Sequence, residues 1–103
     1  PKELDDTYCV YHQYTVKIPN RDAVHKMLGE NGIGAMLYYP IPLHFQKVNA
    51  WLGMGKGSLP VTEENTDVVI SLPMFPELTK EEQDTVAKTL ISCLEKSMGK
   101  CCC

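Results

Sequence analysis

The strongest helical pattern in the chain starts at Thr79-Lys80-Glu81-Glu82, and it limits the possible folds more than any other stretch. The Thr79 hydroxyl can accept from the Glu82 amide while the Glu82 carboxylate reaches back to the Thr79 amide, the reciprocal pairing of a capping box. Val86, Ala87, Leu90, Ile91, Leu94 and Met98 then fall on one face, and Gly99 ends the run. A helix with a single apolar stripe draws its stability from whatever covers that stripe. The rest of the chain must therefore supply a packing surface.

Strand patterns supply it. From Tyr8 to Ile18 the residues alternate, with Val10, His12, Tyr14, Val16 and Ile18 on one face and Cys9, Tyr11, Gln13, Thr15 and Lys17 on the other. That period of two, rich in β-branched and aromatic residues, predicts a strand. Its first face is apolar enough to pack on helices, and its second suits a polar surface or a neighbouring domain. Pro19 ends the strand and Asn20 sits as an N-cap. Ala23, Val24, Met27 and Leu28 then form one stripe of a helix from Arg21, stopped by Gly29 and Asn31-Gly32. His25, between Val24 and Lys26, reads as a surface histidine. Ile33 to Tyr39 predicts a second strand, closed by Pro40 and Pro42. If the two strands are parallel, the unit is a right-handed crossover.

Leu43 to Leu52 predicts a short helix and Gly53 to Ser58 a mobile loop. The glycine spacing there matches neither dinucleotide nor P-loop fingerprints, so a phosphate cradle has little support. Pro60 opens a helix to about Val69, with Glu63 and Glu64 at its positive end. Val69 to Met74 predicts a third strand, stopped by the Pro73 to Pro76 stretch. The whole reads as an α/β fold, in form an α+β two-layer sandwich: a small three- to four-stranded sheet with helices packed on one face. The other sheet face would be bare, and a bare apolar face marks an interface.

A length of 103 residues allows one domain. Residues 1–7 read as a lead-in, 8–99 as the domain and 100–103 as a tail. The chain opens on Pro1, which keeps the reading of an excised piece in view. A net charge of -3 disfavours a nucleic-acid binder, which would normally carry a basic face. No apolar run approaches the roughly 18 residues of a membrane span, so no membrane partner is expected. The five cysteines do not form a disulfide framework: Cys9 and Cys93 lie far apart and Cys101, Cys102 and Cys103 are consecutive. Zinc would need paired spacings that are missing, even with His12 and His44 counted. A reducing compartment with Cys9 and Cys93 as small apolar fillers follows. The cysteine tail does not read as a functional element.

Chemistry concentrates in two places. Tyr38-Tyr39-Pro40-Ile41-Pro42-Leu43-His44-Phe45-Gln46 combines a proline-stiffened turn with convergent hydrogen-bonding groups, as a polar-ligand site requires. Periodicity alone favours the plainer reading, in which His44 and Gln46 merely satisfy loop carbonyls. Tyr11, His12 and Gln13 form a second cluster, suited either to a ligand or to packing and domain contact. No serine has a nucleophile-elbow setting, and the pairs Glu63-Glu64 and Glu81-Glu82 are explained by helix dipoles.

Several motifs recur in a fixed order. They are Tyr11-His12-Gln13-Tyr14, Gly32-Ile33-Gly34, Tyr39-Pro40-Ile41-Pro42-Leu43-His44 with Gln46, Leu52-Gly53, Pro60-Val61 with Glu63-Glu64, and Ser71-Leu72-Pro73-Met74-Phe75-Pro76-Glu77-Leu78-Thr79 with Glu81-Glu82-Gln83. In that order they resemble the C-terminal small domain of the DegT/DnrJ/StrS family of pyridoxal-phosphate-dependent sugar aminotransferases, over about Tyr8 to Met98. The resemblance implies a partner, the N-terminal large domain that carries the cofactor, its Schiff-base lysine and the aspartate on the pyridine nitrogen. No lysine here matches that anchor, so no cofactor is expected on this chain and no transamination by it alone. In the intact enzyme the resemblance implies a cytoplasmic homodimer, pyridoxal phosphate, glutamate or glutamine as amino donor, and a nucleotide-linked keto-sugar. Tyr39, His44 and Gln46 are carried over as substrate-orienting groups, with Tyr11, His12 and Gln13 near the domain junction. A competing reading is a stand-alone interaction module that has lost the catalytic half and self-associates through its bare face.

Overall fold

The computed structural model describes residues 4–99. Its elements are β1 (Tyr14–Lys17), α1 (Arg21–Glu30), two 3-10 helices (Leu43–Phe45 and Lys47–Leu52), α2 (Pro60–Val68), β2 (Val69–Leu72) and α3 (Lys80–Ser97). Helices thus combine with a small antiparallel sheet, consistent with the α/β class. Residues 1–3 and 100–103, with Cys101 to Cys103, lie outside the described residues.

The sheet is smaller than the residue patterns predict. β1 pairs antiparallel with β2, Tyr14 opposite Leu72 through Lys17 opposite Val69. The expected strand from Tyr8 therefore shrinks to its last third. β2 has only four residues before Pro73 stops it, so nothing remains for residues 8–13 to pair with. Tyr11 also takes a positive φ of 47°, which turns the chain out of the extended path. The second expected strand reduces to one bridge, Met36 opposite Ser71, with both hydrogen bonds at 2.9 Å. Its start is lost because the Ala35 amide bonds back to the Ile33 carbonyl at 3.0 Å, a local turn that takes the donor out of any ladder.

Ser71 consequently lies between Thr15 and Met36, and the Thr15 and Ser71 hydroxyls bond at 2.7 Å. Since β1 and the Met36 segment both run antiparallel to β2, they share a direction. The crossover through α1 spans β2 without joining adjacent strands.

Ile18, Val24, Leu28, Ile33, Ala35, Ile70 and Cys93 form the buried core, with Val16, Met27, Leu37, Val86, Leu90 and Leu94 packed around it. The α1 stripe meets the α3 stripe over Val16 and Ile70. Cys93 is the apolar filler expected of it, whereas Cys9 is exposed. The capping box on α3 is complete: Glu82 N–H donates to the Thr79 hydroxyl oxygen and Thr79 N–H to the Glu82 carboxylate.

α1 begins differently. Asn20 holds the N-cap position in left-handed backbone, φ 50°, with no side-chain cap bond. Its amide nitrogen instead donates to the Ser97 carbonyl at 3.0 Å, tying the start of α1 to the end of α3. His25 is half-buried and bonds the Ala35 carbonyl at 3.0 Å, so it fastens α1 to the next segment and is not a surface group. Arg21 is buried and donates to the carbonyls of Thr66 and Val69, both at 3.0 Å, closing the α2–β2 junction against α1.

Much of the molecule stays open. Compact chains of this length have a radius of gyration of about 13 Å; this one has 16.6 Å. A monomer of 11.6 kDa should expose about 5,800 Å², but the chain exposes 8019 Å².

Candidate functional site

The proline turn lies between two anchors. Upstream, Met36 is bonded to Ser71. Downstream, Pro42 leads into the first 3-10 helix, where Phe45 N–H bonds the Pro42 carbonyl at 2.9 Å and the Asn49 side chain donates to the Leu43 carbonyl at 2.7 Å. Between the anchors Tyr39 adopts φ 56° and stands 70 % exposed. Left-handed backbone is disfavoured for a tyrosine, the more so before Pro40, and such outliers concentrate where function holds them. Gln46 is half-buried at the junction of the two 3-10 helices.

His44 points the other way, into the protein. Its side chain is 3 % exposed, packs its ring 4.3 Å from that of Phe45, and meets Glu63 Oε1 at 3.1 Å through Nε2. A carboxylate only accepts, so Nε2 is the donor. Glu63 is the residue that sequence reading missed. Its carboxylate takes the Gly57 amide at 2.8 and 2.9 Å and the Leu59 amide at 3.1 Å, besides His44. The position of Glu63 in the first turn of α2 signals a bond back to Leu59. Nothing in the sequence signals a histidine nineteen positions upstream. This arrangement also disposes of the phosphate-cradle reading, because the Gly57 and Leu59 amides are already spent on an internal carboxylate.

The Gly57 amide bonds hold the Glu63 carboxyl below its ordinary value of 4.5; burial opposes them, and the Leu59 amide and His44 add to the lowering. Glu82 is lowered likewise by the Thr79 amide and then its hydroxyl. A carboxyl lowered in the folded state stabilises fully above its unfolded value, and that stabilisation fades as pH falls through the lowered folded value. Urea midpoints should therefore drop below pH 4.5, and the double variant Glu63→Gln/Glu82→Gln should drop less across that window than the native chain.

Tyr11, His12 and Gln13 are all exposed. Tyr11 stacks at a tilt on Tyr14, ring centres 5.8 Å apart. His12 and Gln13 line a cleft of about 150 Å³ with Met36, Tyr38 and Ser71. The structure thus brings His12 and Gln13 beside the start of the proline turn, through Tyr38, while Tyr39, His44 and Gln46 do not line this cleft. Pockets that enclose a drug-sized ligand hold about 300 Å³ or more, so this cleft alone does not enclose one. Among the described residues no group of three or more His, Cys, Asp or Glu side chains could hold a metal ion, and no helix is long and apolar enough to cross a membrane.

Known proteins resemble the chain over most of its length. Residues 1–91 match the model of the DegT/DnrJ/EryC1/StrS aminotransferase family. A pleiotropic regulatory protein of Geobacillus stearothermophilus is 49% identical over 90 residues, which cover 87% of this chain and 24% of that protein. A UDP-N-acetyl-3-dehydro-alpha-D-glucosamine 3-aminotransferase of Acidithiobacillus ferrooxidans is 42% identical over 81 residues, 79% of this chain and 21% of the relative. The crystal structure of DesV from S. venezuelae, in complex with a ketimine intermediate, superimposes with a TM-score of 0.82 at 32% identity, covering 92% of this chain and 26% of DesV. The chain spans about a quarter of the length of these proteins. With nearly all of its residues accounted for by one family's pattern, this chain belongs to the DegT/DnrJ/EryC1/StrS aminotransferase family.

Proposed function

We propose that the chain is the C-terminal small domain of a sugar aminotransferase and does no amino transfer alone. The intact enzyme would move an amino group from glutamate or glutamine to a nucleotide-linked keto-sugar, as a cytoplasmic homodimer. The observation that carries this reading is the family match over residues 1–91 in a chain that spans about a quarter of its relatives, and an apolar surface left uncovered agrees with it. That surface includes Val48 at 74 %, Trp51 at 80 % and Tyr8 at 87 % exposure.

Pyridoxal phosphate would supply the electron sink in such an enzyme. The described residues do not fit as its anchor. Lys17, Lys26, Lys47, Lys56, Lys80, Lys88 and Lys96 all stand exposed, whereas an imine-forming lysine is activated in a desolvated pocket or beside another cation. In this reading Tyr39 and Gln46 meet the sugar nucleotide from the proline turn, and Tyr11, His12 and Gln13 meet it or the large domain from the cleft. His44, with Nε2 given to Glu63, holds the turn.

Sedimentation velocity tests the reading. A domain lacking its cover should associate without fixed stoichiometry, its mean size rising with concentration. A sharp dimer unchanged across concentrations would favour instead the stand-alone module that self-associates through this face.

A further inference from the structure

We propose that Glu63 is the positioning residue for Tyr39, acting through His44. The use of Tyr39 toward a sugar rests on the aminotransferase reading; the positioning does not. Tyr39 keeps a backbone conformation that a tyrosine before a proline avoids, so its neighbours must impose it. Its upstream leg is fixed by the Met36–Ser71 pair. Its downstream leg runs through Pro40 and Pro42, whose rings fix φ and leave few torsions to absorb strain before His44.

His44 is held by one hydrogen bond from its ring, Nε2 to Glu63 Oε1, with the two side chains only 3 % and 14 % exposed. The same carboxylate binds the Gly57 and Leu59 amides. Glu63 therefore ties the glycine loop and the proline turn to the first turn of α2. A second restraint, Asn49 on the Leu43 carbonyl, acts one residue earlier and fixes the backbone of the 3-10 helix. The experiment separates the two.

On the 103-residue chain with labelled tyrosine and glycine, Tyr39 should give the strong intraresidue amide-to-Hα NOE of a positive φ. His44→Phe should abolish the Tyr39 signal while the Gly57 amide still exchanges slowly, since Glu63 keeps that bond. Glu63→Leu should abolish the Tyr39 signal and speed Gly57 exchange by about tenfold or more. Glu63→Gln, which retains an oxygen for His44, should restore the Tyr39 signal. A Tyr39 signal unchanged in His44→Phe would overturn the proposal, as would a Gln variant no better than Leu. Should Glu63→Leu fail to fold, judged by the amides of Val24, Leu28 and Ile70, His44→Phe decides alone. No substrate is involved, so the outcome is independent of the enzyme reading.

Discussion

Leu28→Ala should cost about 3 kcal/mol, a cost set by the transfer of the lost methyl groups plus the cavity they leave. Leu28 is fully buried, at the point where α1 meets α3 and Ile70. With only seven buried apolar residues in the core among the described residues, the site has little around it that could collapse into the gap. Urea unfolding should show the loss as a lower midpoint with an unchanged slope. Trp51→Ala provides the contrast. At 80 % exposure its ring touches little of this chain, so truncation should change the midpoint by no more than about 0.5 kcal/mol. A larger loss at Trp51 than at Leu28 would mean that the exposed apolar strip around Val48 and Trp51, and not the α1–α3 junction, is the working core. If the strip docks on a large domain, the order of the two effects should narrow or reverse in the intact enzyme, where Trp51 becomes interface.

The parts legible from sequence were those set by short-range rules. The capping box joins Thr79 to Glu82, three residues apart, and the α1 and α3 stripes follow helical spacing, although Ala23, Ala87, Ile91 and Met98, assigned to them, stand exposed. Pro60 at the first position of α2 is of the same kind. The length of β1 was illegible because it is decided by a partner more than fifty residues away: β2 ends at Leu72, so pairing ends at Tyr14 whatever the alternation upstream. The strand at Met36 was lost to a bond between Ala35 and Ile33 that no periodicity reports. Asn20 had the right residue type for a cap, yet its side chain found the Ser97 carbonyl, a long-range acceptor.

The candidate site divides along the same line. The proline turn was recognisable because two prolines and a cluster of polar side chains are local facts. The sequence could not say that His44 is turned inward on Glu63, or that Tyr39 stands out in left-handed backbone. The first depends on a bond to α2 nineteen residues further on, and the second is a backbone conformation that no residue pattern reports. Glu63 itself was explained away by the helix dipole, a sufficient account of an acidic first turn until its partners are seen.

The second large effect is all-or-none. Every described lysine stands in solvent, without the desolvated pocket or neighbouring cation that activates an imine-forming amine. The chain should therefore give no persistent imine band with pyridoxal phosphate and no amino transfer from glutamate. Retained catalysis would require a lysine drawn out of water into a walled cleft, and the cleft beside His12 and Gln13 is lined by no lysine.

Borohydride reduction of the chain mixed with pyridoxal phosphate, followed by peptide mapping in a mass spectrometer, reads this directly. Sparse adducts spread over surface lysines such as Lys56 and Lys88, well below one per chain, are expected. One stoichiometric adduct at a single lysine, formed together with a stable absorbance band, would contradict that expectation.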